Sequence, residues 1–271
     1  MIGHGDRQPA GAAPVEDFVA VLKRHGAIPP TALASSASAA SASGFVPTHS
    51  TTILAFKFAD GVLVAGDRRA TAGNTLVYDR ADKVLEIDRH SLMAIAGVPA
   101  TAWEMARVLE HSFQFYRRSQ LQEMSMDGKV RALSKLLRDN LGAVLQGIGV
   151  VVPLFATYDH EAEAARLYFY DAMGAQFEAA DYAATGSGSP AVRSVLHYEN
   201  TWGKRPLRKL RSAEAVLLAL RALETAASSD TATGGVDRRA DVFPIIKIVS
   251  GAGIETLPEA RMAKIFKAKL A

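Results

Sequence analysis

The chain has 271 residues, of which 49% are hydrophobic, with 31 Lys and Arg against 28 Asp and Glu, a net charge of +3, and no cysteine. That composition supports a sizeable core. It excludes disulfides, thiolate metal sites and a cysteine nucleophile, and the near-balanced charge gives no footing for nucleic-acid binding. No apolar run reaches the roughly 18 residues of a membrane span, so a cytoplasmic protein with no membrane or nucleic-acid partner is expected.

Residues 1–50 differ in character from the rest. Val15, Phe18, Val19 and Leu22 recur at helical spacing, which predicts one short amphipathic helix over residues 14–24. A helix of that length is marginal alone, and the remainder, rich in Gly, Pro, Ala and Ser, reads as mostly flexible. The Ala/Ser stretch at 32–44 lacks the preceding apolar block of a secretory signal. Strand patterns begin at Thr51. Residues 52–58 and 62–65 flank Ala59-Asp60-Gly61 as a hairpin, and 83–87 and 92–96 form a second.

Two helices follow, with Ala102, Met105, Ala106 and Leu109 on one face of the first and Val130, Leu133, Leu136 and Leu137 on one face of the second. Residues 153–158, 166–170 and 179–184 return to strand. Residues 189–200 and 213–227 read as another helix pair, 242–249 and 254–257 as closing strands, and 258–268 as a terminal helix. Strands, two helices, strands, two helices, strands is not the alternation of a parallel doubly wound sheet. It fits an α+β fold, a four-layer αββα sandwich of two antiparallel sheets between helices. The basic run at 204–211 reads as a solvated face or subunit contact.

The chemistry gathers at Ser50-Thr51-Thr52 and at Gly66-Asp67-Arg68-Arg69. Were the chain cut before Thr51, its hydroxyl would lie beside a new α-amine. Such an amine has a pKa of about 7.7 to 8 and accepts a proton near neutrality. Asp67 follows the second strand and Lys83 opens the third, so sheet pairing can bring both to the head of the first. The lysine charge then favours a developing alkoxide and the aspartate orients the lysine. Taken alone, the two also fit a surface ion pair, and a Thr-Thr strand start is ordinary. The seven histidines form no metal-ligand spacing, and no phosphate-cradling glycine loop is present. No cofactor or metal is expected.

Thr51-Thr52-Ile53, Gly66 to Thr71, Lys83-Val84, Ile95-Ala96-Gly97, Gly186 to Pro190 and Asp230 to Gly235 together resemble the β-type catalytic subunits of proteasomes. These are N-terminal-nucleophile hydrolases and threonine proteases, here closest in pattern to the bacterial branch. The resemblance runs from about residue 51 to the C-terminus and implies a prosegment over 1–50 and a catalytic domain over 51–271. It implies that Thr51 is nucleophile and, through its amine, base, with Asp67 and Lys83 as charge partners and Ser187, Asp230 and Thr233 around the amine; Thr233 stands where many relatives have serine. It implies Gly97 as the oxyanion donor, Thr71 as a backbone partner of extended substrate, and Ala70, Ala81, Leu85, Ile95 and Pro99 as an uncharged specificity pocket favouring apolar side chains.

By the same resemblance the expected partners are α-type subunits, further β subunits in seven-membered rings, an ATP-dependent unfoldase and unfolded protein substrates. Relatives usually carry glycine where Ser50 precedes the cleaved bond, so slower or assembly-dependent autocleavage is expected. Two rival readings are a six-membered HslV-like ring protease and an inactive structural β-type subunit.

Overall fold

A computed structural model describes residues 51–72, 75–237 and 242–268. The predicted helix over 14–24, the rest of the prosegment and Ser50 lie outside them. In chain order the elements are β1 (Thr52–Phe58), β2 (Gly61–Gly66), β3 (Ala70–Ala72), β4 (Thr75–Tyr78), β5 (Val84–Asp88) and β6 (Ser91–Ala94), then the helices α1 (Pro99–Gln120), α2 (Met126–Asp139) and α3 (Leu141–Leu145). The chain continues through β7 (Leu154–Asp159), β8 (Ala164–Tyr170), β9 (Gln176–Glu178), β10 (Tyr182–Gly186), α4 (Ser189–Trp202) and α5 (Ser212–Ser229). It ends with β11 (Ile245–Ser250), β12 (Gly253–Thr256) and α6 (Glu259–Lys267).

Two five-stranded antiparallel sheets carry the fold, in the orders β10-β1-β2-β11-β12 and β5-β6-β7-β8-β9, beside a two-stranded β3-β4 ribbon. β1 is buried along its whole length, and its alternation assigns each face. Leu54, Phe56 and Phe58 pack with β2, β11 and the helices α4 to α6. Ile53 and Ala55 face the second sheet, meeting Leu92, Ala94, Leu154 and Ala156. On the far side of that second sheet, Met93, Ile95 and Phe155 pack against α1 and α2 through Ala102, Leu109, Leu133 and Leu137. Because both faces of each sheet are covered, the central strands read as near-continuous apolar runs. Ile53, Leu54 and Phe56 are fully buried, about 1.5–3 kcal/mol apiece on transfer arithmetic. This anchors the strand whose head is Thr51.

The larger departures from the sequence reading are three. The strand expected over 179–184 starts only at Tyr182, as β10 paired with β1 in the first sheet, and β9, at the edge of the second sheet, precedes it and was not expected. The crossing lies between them, where Ala179 N–H bonds Leu167 O and Lys57 N–H bonds Asp181 O. Asp181 is fixed there by Arg208 Nε at 2.6 Å and Asn200 Nδ2 at 3.2 Å. β11 starts at Ile245 rather than Val242, since Pro244 has no N–H to give a ladder. The β3-β4 ribbon was not foreseen; β4 is exposed throughout and so lacks the half-buried alternation that marks a strand.

The basic run at 204–211 braces the fold. Leu207 is buried, Arg208 holds Asp181, and Arg205 and Arg211 both reach Glu214. Among the described residues no helix is long and apolar enough to cross a membrane.

Candidate active site

The head of β1 sits between β10 and β2, with Thr52 opposite Gly186 and Ile53 opposite Gly66. Gly66 ends β2, so Asp67, the next residue, is delivered beside Thr52. Asp67 is fully buried, and each of its oxygens accepts two hydrogen bonds. Oδ1 takes the Thr52 N–H at 2.8 Å and Lys83 Nζ at 2.7 Å; Oδ2 takes the Arg69 N–H at 2.9 Å and the Gly234 N–H at 3.0 Å. Lys83, 4% exposed, also donates to the Arg69 carbonyl at 2.5 Å. Burial pushes its amine below the ordinary lysine value, against the opposing pull of Asp67. Asp67 and Lys83 are thus a buried pair rather than a surface one, and the surface-pair alternative is excluded.

The second carboxylate group closes over the same strand end. Ser187 Oγ and Thr233 Oγ1 donate to Asp230 Oδ2 at 2.6 and 2.5 Å. Burial pushes the Asp230 carboxyl up, but hydrogen bonds from Ser187, Thr233 and the Ala232 N–H outweigh it and hold the carboxyl below its ordinary value. Ser187 also donates its backbone N–H to the Thr51 carbonyl at 3.2 Å. The two groups are joined by Thr52, whose hydroxyl lies 2.6 Å from Thr233 Oγ1 and accepts the Gly188 N–H at 2.9 Å. Arg69 adds a further tie, its guanidinium donating to the Thr231 carbonyl at 2.8 Å. Neither Thr52 nor Arg69 was singled out for a role in the sequence reading, although both lie inside the motifs that were. The partners of their side chains are 136 to 181 residues away, which no local pattern shows.

Gly186 makes the close approach possible. Its φ is +99°, and an added Cβ would lie 1.7 Å from the Thr51 carbonyl oxygen. Gly186→Ala is therefore expected to push Thr51 off the strand end. Backbone strain alone costs about 1–3 kcal/mol, and the overlap adds to it. Melting of the variant should drop by several degrees; unchanged melting would contradict the geometry.

Gly97 has φ +114°. The hydrogen bonds flanking its bridge to Val151 are made by Val98 N–H and Val152 N–H, each at 2.8 Å. The Gly97 N–H therefore lies outside that ladder, as an oxyanion donor requires. Thr71 sits in β3 opposite Leu76, buried, with its hydroxyl lacking a hydrogen-bond partner among the described residues.

The five expected pocket residues are divided. Ile95 is a core residue of the cluster against α1, with Leu85 packed on it. Ala81 is buried, and Ala70 lies opposite Tyr78. Pro99 opens α1, half-buried. Among the described residues no group of three His, Asp or Glu side chains is arranged to hold a metal.

Residues 48–240 match the family described as Proteasome subunit. Proteasome subunit beta 2 of Thermomonospora curvata is 40% identical over 218 residues, covering 80% of this chain and 75% of that protein. Proteasome subunit beta of Acidimicrobium ferrooxidans is 39% identical over 217 residues, 80% of this chain and 77% of that one. The Streptomyces griseus proteasome subunit beta is 36% identical over 223 residues, 82% and 76%. A buried Asp–Lys pair at the head of a Thr-Thr strand, six motifs in order and these similarities lead to one conclusion: the chain belongs to the proteasome subunit family, and the three relatives named here are β subunits.

Proposed function

We propose that this chain is a threonine endopeptidase, the catalytic β-type subunit of a proteasome core particle, with Thr51 as its nucleophile. The observation that carries the reading is the fully buried Asp67 carboxylate, hydrogen-bonded at once to Lys83 Nζ and to the backbone of Thr52. A buried ion pair contributes little net stability, so its place beside a candidate nucleophile favours a chemical role. The two facing sheets with helices outside support the αββα sandwich of the N-terminal-nucleophile hydrolases.

Maturation begins with attack of the Thr51 hydroxyl on the Ser50 carbonyl carbon. The peptide C–N bond breaks, the Thr51 nitrogen takes the proton, and water then hydrolyses the resulting ester to release residues 1–50. In the mature site the free α-amine accepts the hydroxyl proton as Thr51 Oγ1 attacks a substrate carbonyl. The amine returns that proton to the leaving amine, and water resolves the acyl-enzyme. Lys83 lowers the energy of the developing alkoxide, and the Gly97 N–H stabilises the oxyanion. Ser187, Asp230 and Thr233 surround the amine, Thr71 pairs with substrate backbone, and the uncharged lining of Ala70, Ala81, Leu85, Ile95 and Pro99 favours apolar residues before the scissile bond.

Such subunits work in seven-membered rings with α-type rings, in the cytoplasm, on unfolded chains fed by an ATP-dependent unfoldase. The similarities favour neither the six-membered ring nor the inactive subunit. Assembly with α-type subunits followed by intact-mass measurement tests the reading. A chain starting at Thr51, a covalent adduct with a threonine-directed inhibitor, and faster cleavage of fluorogenic peptides after apolar than after charged residues are expected. Persistent residues 1–50 with no peptidase activity would sink it.

A further inference from the structure

The hydrogen bonds around the head of β1 form one chain, and counting protons gives it a direction. Asp230 is ionised at neutral pH, so its oxygens only accept. Ser187 and Thr233 therefore both donate to it, as the 2.6 and 2.5 Å contacts require. A hydroxyl has one proton; with that of Thr233 committed, Thr233 Oγ1 accepts from Thr52 Oγ1, 2.6 Å away. The Thr52 proton is then committed as well, and its oxygen is left to accept the Gly188 N–H at 2.9 Å.

Thr52 and Thr233 are both fully buried, so water does not compete for these groups. Gly188 leaves the space they need: a Cβ there would lie 2.6 Å from Thr233 Oγ1 and 2.7 Å from Thr52 Oγ1. The backbone of Thr52 meanwhile exchanges hydrogen bonds with Asp67, its N–H donating to Oδ1 at 2.8 Å and its carbonyl accepting the Asp67 N–H at 3.1 Å.

We propose that Thr52 is a positioning residue of the proteolytic site. Its hydroxyl links the Gly188 N–H to Thr233 in the proton direction that the ionised Asp230 sets, and thereby holds Thr51 in register against the Asp67–Lys83 pair. The inference rests on the reading of Thr51 as nucleophile. Without the hydroxyl, the Thr233 oxygen loses its donor, the Gly188 N–H loses its acceptor, and the strand end is free to shift. A misplacement of about 1 Å at a reacting group lowers rates by as much as about a hundredfold.

The test uses the assembled particle. Thr52→Val, of nearly the same shape, is expected to lower kcat by about ten- to a hundredfold with KM within about twofold. Thr52→Ser, which restores the hydroxyl, should recover most of that loss. Because both changes act through one chain, Thr52→Val should add less to Asp230→Asn than it removes from the native protein.

Should the valine variant fail to assemble, Thr52→Ala removes the hydroxyl without added bulk and is read the same way. Native-like kcat in either variant overturns the proposal, as does a loss that serine does not repair or that adds fully to Asp230→Asn. A native particle that forms no Thr51 adduct overturns the nucleophile reading, and this inference with it. An adduct in the native particle beside a fully active Thr52→Val particle overturns this inference alone.

Discussion

Thr51→Ala is expected to reduce peptide turnover by roughly a millionfold, to the floor of the assay, while the particle still assembles. Thr51 stands just ahead of β1, and what secures that strand lies beyond it, in Ile53, Leu54 and Phe56 at 0% exposure and in the bonds of Thr52 to Asp67. Removing one hydroxyl and one methyl therefore takes away the proposed nucleophile and leaves the core. On the proposed autocleavage, residues 1–50 should also stay attached, because the hydroxyl proposed to attack the Ser50 carbonyl is gone; an intact mass of the full chain reads this directly. Thr51→Ser keeps both hydroxyl and amine and should retain much of the activity. Peptidase activity in the alanine variant would place the nucleophile elsewhere.

Asp67→Asn should be the most damaging conservative change in the molecule. The carboxylate receives four donors, two on each oxygen, and is fully buried. An amide has one acceptor oxygen and one NH2 group. Whichever way it is turned, two donors face a donor: the Thr52 N–H and Lys83, or the Arg69 and Gly234 N–H groups. Lys83, already held below its ordinary value by burial, also loses its counter-charge.

Breaking a buried pair in this way costs about 3–5 kcal/mol, a large share of a domain stability of roughly 5–15 kcal/mol. Activity should be lost with it. Lys83→Met is expected to be equally inactive yet less destabilising, because Asp67 keeps three backbone donors. Denaturant unfolding of the two variants measures the difference. Equal destabilisation, or a neutral asparagine, would refute the donor count.

Much of this site was legible in the chain. Thr51, Asp67 and Lys83 stand at the ends of three strand patterns that pairing can bring together; taken alone they fit a surface ion pair equally well, and it was the resemblance of six motifs in order that gave them their expected roles. The hairpin of β1 and β2 was readable directly: Asp60-Gly61 interrupts two apolar runs, and Gly61 adopts φ +149° against the Val249 carbonyl. The β9-β10 division was not. A run of Ala and Tyr has no local feature that says where it leaves one sheet for another; the crossing is set by Leu167 and Lys57, which belong to other strands. The bulk of the expected pocket residues proved equally ambiguous, since an apolar side chain such as Ile95 suits a core and a pocket alike.

What the sequence by itself determined was the chemistry available: a threonine at the head of a buried strand, a lysine and two aspartates within reach of it, and enough apolar periodicity to cover two sheets. Only the tertiary structure decided which groups bond to which. Asp67 meets Gly234 across 167 residues and Thr52 meets Thr233 across 181. The reason is physical. Local sequence sets backbone preference and which faces seek burial, whereas hydrogen-bond partners at a strand end depend on sheet register, and register is settled by the packing of the whole core.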